Sequence, residues 1–169
     1  ERPTEALGLF REAQNLGFAE ERFAKDRGLA HDLLGETRLA QRDYGIALRA
    51  GSDDEVIRRY ALSLGISGQR EQALKLLEPL LKSQDQAAWR ARAFVLAMSG
   101  DLRGADSIIN LVMPISMTGT MSGFLRRLPS LNASQMAHAV NFGTMPAAGT
   151  QVAVVDAATE FRRIGGSAA

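Results

Sequence analysis

At 169 residues, 46% apolar and 23% charged, the chain has the length and composition of one ordinary globular domain, large enough to bury roughly 70% of its unfolded surface. No run approaches the roughly 18 apolar residues a spanning helix needs. Twenty basic against nineteen acidic residues give no excess for a dedicated nucleic-acid binder, and the absence of cysteine removes disulfides, thiol catalysis and thiolate metal sites together.

The first residue is Glu1, inside a stretch that already reads as helix, so a fragment of a longer protein is expected, and the compartment is not readable from these residues. Apolar residues at i, i+3, i+4 and i+7 run through most of residues 1–142, and almost nothing reads as strand. The fold class is therefore all-α.

In chain order, a half unit at 1–17 carries Ala6, Phe10 and Ala13. Full units follow near 21–53, 54–85 and 86–113. Each full unit contains a short loop, "GETRLA", "GQREQA" or "GDLRGA", whose glycines Gly35, Gly68 and Gly100 recur at intervals of 33 and then 32 residues. The loop alanines Ala40, Ala73 and Ala105 are each followed four residues on by Tyr44, Leu77 or Ile109, and three further by Ala47, Leu80 or Val112. Upstream, a small residue returns in register as Gly28, Ala61 and Ala93, with Trp89 one turn ahead of Ala93.

Two antiparallel helices approach closely only where small residues face each other, and a glycine supplies the positive φ favoured just past a helix end. A hairpin with one apolar face cannot bury it alone, so at least three must stack. In "SDDE" at 52–55, Ser52 is expected to cap the next helix with Glu55 completing the box.

Beyond the units, two further helices are expected at about 115–128 and 133–142. Pro129 ends the first, and Asn132 with Gln135 caps the second. They would cover the open end of the last unit. After Pro146, "AAGTQVAVVDAATEFRRIGGSAA" has the composition of a linker. Val154, Val155, Ala158 and Phe161 nevertheless share a helical face near Asp156 and Glu160, so residues 152–164 are expected to dock in a groove as a ligand mimic, or else to add a short terminal helix. The domain reading is 1–113 repeats, 114–145 capping helices and 146–169 tail.

The period near 34 and these small-residue positions resemble the tetratricopeptide repeat over about two-thirds of the chain. The resemblance implies a right-handed α-α superhelix of about three and a half hairpins with a C-terminal helical cap. Its pattern departs at His31, Leu64 and Leu96, where the family carries an aromatic, and at Ser52 and Asp85, where it carries a proline. The stretch "AAWRARAFVLAMSGDLRGADSIINLVMP" is further similar to repeat proteins of bacterial tight-adherence (Flp-type) pilus machinery. It is similar also to proteobacterial envelope proteins whose repeats precede a peptidoglycan-binding SPOR domain. That implies a non-enzymatic scaffold of pilus, secretion or envelope assembly, periplasmic or anchored to the outer membrane.

In such a superhelix the first helices line the inner face. Their fifth positions are Lys25, Arg58 and Arg90, and their ninth are Leu29, Leu62 and Phe94. Positions four apart share a face, so a basic column stands beside an apolar one. This suits a peptide with acidic and bulky apolar side chains, Arg58 and Arg90 each offering a planar fork to a carboxylate. The competing reading makes the cations solvated and the apolar column part of the stack. Asparagines for a chaperone-tail clamp are missing at the ninth position, and such a clamp is not expected.

No catalytic, metal or cofactor constellation is read. His31 and His138 lack ligand-spaced partners, and His31 is expected to replace a core aromatic. "GTMSGF" lacks nucleophile-elbow spacing, and no phosphate-cradling loop occurs. "FLRRLP" has too few arginines for an anionic membrane anchor. Met113, Met117 and Met121, four apart, read as core, with an adaptable peptide surface or soft-metal site as the alternative. The remaining functional alternatives are a rigid spacer and a self-association module, including a homodimer.

Overall fold

The structure, a computed structural model, describes residues 2–147. Among these residues the secondary structure is helical, without strands. The helices are α1 (Pro3–Asn15), α2 (Ala24–Leu33), α3 (Thr37–Ala50), α4 (Asp54–Ile66), α5 (Arg70–Lys82), α6 (Gln86–Met98), α7 (Leu102–Val112), α8 (Ile115–Arg127) and α9 (Ala133–Phe142). Single 3-10 turns cover Glu20–Arg22 and Leu128–Ser130.

Helices α2/α3, α4/α5 and α6/α7 form a helical repeat-like series of hairpins, each packed on its neighbour. Their tips are the three expected glycines, with φ of 78° at Gly35, 81° at Gly68 and 88° at Gly100. A side chain would strain this left-handed backbone, which is why glycine stands there. The small-residue positions are where helices cross. A Cβ on Gly28 would lie 2.8 Å from Tyr44 Cε1 and 3.2 Å from the Ala40 carbonyl oxygen. Ala40, Ala61, Ala73, Ala93 and Ala105 are all fully buried. Tyr44, Leu77 and Ile109, each one turn beyond a loop alanine, are the large side chains that fill the space between helices.

Helix starts use local carboxylates and amides. Asp53, not Ser52, caps α4: its Oδ1 accepts from the Glu55 amide at 2.8 Å. The shift by one residue has a reason, because Asp53 Oδ2 also accepts from Lys25 Nζ at 3.2 Å. Asp85 caps α6 and Asp101 caps α7. Asn132 and Gln135 form the expected reciprocal capping box at the start of α9. Pro129 falls in the 3-10 turn that follows α8.

Two buried polar clusters tie α2 to its neighbours. Arg27 grips Asp43 through Nε to Oδ2 at 2.8 Å and Nη2 to Oδ1 at 2.7 Å, the two-pronged geometry that a guanidinium favours. Asp32 accepts from Ser63 Oγ at 2.7 Å and from the Tyr44 hydroxyl at 3.1 Å. His31 does not replace a core aromatic. It is half-buried, with Nδ1 2.6 Å from Glu36 Oε2 and Nε2 3.8 Å from Asp43 Oδ2, because the acidic neighbours make a polar niche there.

The C-terminal pair departs from a simple end cap. Helix α8 packs on α7 and α6, whereas α9 turns back onto α2 and α4. Leu125 and Leu128, both fully buried, anchor the reversal. The small face of α9, Ala137 and Ala139 with Val140, permits close approach. At its start, Ser134 Oγ donates to the Leu33 carbonyl at 2.6 Å, beside the Gly35 tip.

Candidate functional site

A cavity of about 600 Å³ lies between the first helices of two hairpins, α4 and α6, and the C-terminal helices α8 and α9. That is within the usual range for a binding pocket, roughly 300–1,000 Å³. Four-residue spacing on a helix builds the α4 and α6 wall. From α4 come Arg58 and Leu62, and from α6 come Arg90 and Phe94. The opposite wall is Met113, Met117, Met121 and Phe124, with Val140 of α9 closing the floor. Phe94 and Phe124 meet at a centroid distance of 5.9 Å, tilted by 52°.

The structure thus brings together four of the six residues singled out from sequence: Arg58, Leu62, Arg90 and Phe94. Lys25 and Leu29 do not line this cavity. Lys25 is committed to Asp53 and to Glu55 Oε2, each at 3.2 Å, and its hydrogen bonds to Glu55 and then Asp53 hold its ammonium above the usual lysine range. Leu29 is half-buried on α2, one of the helices that α9 packs against.

The cavity's three arginines are not equivalent. Arg58 Nη1 donates to Asp85 Oδ2, and the same aspartate caps α6, so this guanidinium is tethered at the boundary between two hairpins. Arg59 pairs through Nη2 with Glu55 Oε1 and lies 3.6 Å from Asp26 Oδ1 through Nη1. That Nη1 is enclosed without a hydrogen-bond partner among the described residues. Arg90 is exposed and has no ion-pair partner among the described residues. The cavity lining thus carries the unengaged guanidinium of Arg90, the paired ones of Arg58 and Arg59 and the carboxylate of Glu55, beside methionine and phenylalanine side chains.

The expectation that the three methionines are core holds for two of them. Met113 and Met121 do pack against the core, but Met117 is 52% exposed and all three face the cavity. The four-residue spacing was visible; which helix stood opposite was not. Unbranched thioethers make an adaptable apolar surface of this kind. Among the described residues no group of three His, Cys, Asp or Glu side chains is arranged to hold a metal, and no helix is long and apolar enough to cross a membrane.

Residues 152–164, expected to act as a ligand mimic, lie outside the described residues. Among the described residues, Arg127 Nη2 donates to the Pro146 carbonyl. Compared with protein-family models, curated proteins and solved structures, the chain matches none.

Proposed function

We propose that this chain is a non-enzymatic protein-interaction module that holds a peptide segment in the α4–α6–α8 cavity. The observation that carries the reading is the meeting, in one cavity, of an apolar floor with an unengaged arginine. Arg90 takes an acidic group of the ligand, Arg58 stands beside it, and Leu62, Phe94, Met117 and Met121 receive an adjacent bulky apolar side chain. A few desolvated anchors of this kind usually dominate peptide affinity. Because α9 packs on α2 and α4, the bound segment is short and spans two hairpins rather than the whole row.

The arrangement is read as tetratricopeptide-like: about three and a half hairpins in a right-handed superhelix over 1–113, closed by helices within 114–145. The 33- and 32-residue intervals and the positive-φ glycines at each tip support that reading. A role as a scaffold in bacterial pilus, secretion or envelope assembly, with a periplasmic or outer-membrane-anchored location, rests on the sequence resemblance.

Selection of short random peptides on the immobilised domain tests the site. The reading expects enrichment of Asp or Glu next to Leu, Phe or Met, and loss of that enrichment on an Arg90→Glu variant. Enrichment of basic peptides, or a motif unchanged by Arg90→Glu, sinks it.

A further inference from the structure

The cavity has its own chain at its edge. Helix α9 ends at Gly143, whose φ of 71° turns the backbone out of the helix, and Asn141 and Gly143 both line the cavity. Two residues on, Met145 packs against the core. The next carbonyl, that of Pro146, is held by Arg127. Arg127 stands three residues beyond the cavity's Phe124, on the same side of α8. The chain thus enters residues 148–169 beside the wall of Phe124, Met121 and Met117.

Those residues carry the groups that the lining lacks. The lining has three guanidiniums to one carboxylate, Glu55, and Arg90 has no ion-pair partner among the described residues. In "TEFRR" at 159–163, Glu160 is joined directly to Phe161, an acid beside a bulky apolar side chain. We infer that this segment occupies the cavity of its own chain. Glu160 pairs with Arg90, Phe161 seats among Phe94, Met117, Met121 and Phe124, and Glu55 offsets the two arginines that follow. The inference rests on the peptide-site reading and adds regulation to it: an internal competitor holds the site until a stronger ligand displaces it.

Reach and tethering favour the same chain as occupant. Thirteen residues lead from Ala147 to Glu160, up to roughly 40 Å of extended chain, whereas the α8 wall from Phe124 to Met117 spans about 10 Å. Such a tether gives an effective concentration on the order of 1 mM. A segment whose own Kd is on the order of 100 µM then fills the site about nine-tenths of the time and weakens an external peptide about tenfold. A second copy competes equally only in protein solutions of about that millimolar concentration.

Methyl NMR of the whole methionine-labelled chain without ligand, compared with a Glu160→Lys/Phe161→Ser variant, tests this. The expected result is displaced Met117 and Met121 signals in the variant, unmoved Met98 and Met136 signals, and a parent spectrum unchanged on dilution. Combining Arg90→Glu with Glu160→Arg is expected to move the wall signals back toward the parent's. A synthetic peptide of residues 156–164, added in trans, should bind the variant about tenfold tighter than the parent. Wall methyls indifferent to the tail substitutions, or parent signals that change with dilution, overturn the inference. A selected acidic–apolar peptide that binds parent and variant alike also overturns it, while leaving the peptide site intact.

Discussion

Asp32 shows how one buried side chain sets a pH dependence. It is 1% exposed, and burial pushes its carboxyl up from 3.8 to about 7, against the pull of the hydrogen bonds from Ser63 and Tyr44. A carboxyl raised on folding favours the folded chain in its neutral form. Its contribution is complete below the unfolded value near 3.8 and is lost as pH climbs through about 7. Asp32→Asn fixes the neutral form, so the stability of that variant relative to the parent should rise between pH 4 and 7 by on the order of 2–4 kcal/mol and then level off. Urea unfolding across that range checks it; a relative stability that falls with pH contradicts the assignment. Glycines give a second contrast. Gly28→Ala drives a Cβ to 2.8 Å from a buried tyrosine ring and should cost about 1–3 kcal/mol. Gly119→Ala, on α8 with nothing within 4 Å, should stabilise by about 0.5–1 kcal/mol through helix propensity. Equal effects at the two sites would show that the crossing at Gly28 is looser than described.

Helices and their tips were legible because their signals are local. A glycine past a helix end, an alanine at a crossing and Asn132 three residues before Gln135 each act within a turn or two. The address of α9 was not local. Its hydrogen bond joins Ser134 to Leu33, 101 residues away, and a small apolar face says that a helix packs without saying where. The cap of α4 failed for the same reason: "SDDE" offers adjacent candidates, and Lys25, 28 residues upstream, tips the choice to Asp53. Helix α9 is held by its capping box and a modest face, so Asn132→Ala should cost about 1 kcal/mol. Hydrogen exchange should localise the loss, with faster exchange in α9 and little change in α6. Uniform acceleration across the chain would mean that α9 is an integral part of the core.

At the scale of the molecule, repeat register found half of the cavity and extrapolated one unit too far. Arg58, Leu62, Arg90 and Phe94 share one site because α4 and α6 are consecutive first helices. Lys25 and Leu29 occupy the same register on α2, where an acidic pair and the packing of α9 against that helix give them other work. Met117 and Met121 of the methionine wall come from outside the repeats, and no periodicity could assign them a partner. Phe94→Ala should weaken a selected peptide by roughly tenfold to a hundredfold, the range of an anchor residue, with the thermal midpoint lowered but cooperative unfolding retained. Undiminished affinity would remove Phe94 from the site. The most direct measurement uses the six methionines as reporters: methyl NMR of methionine-labelled protein titrated with a selected acidic–apolar peptide. Met113, Met117 and Met121 should shift in a saturable manner while Met98 and Met136 stay in place, and Arg90→Glu should abolish the shifts. Saturable binding that moves Met136 and leaves the three wall methyls untouched would contradict the account.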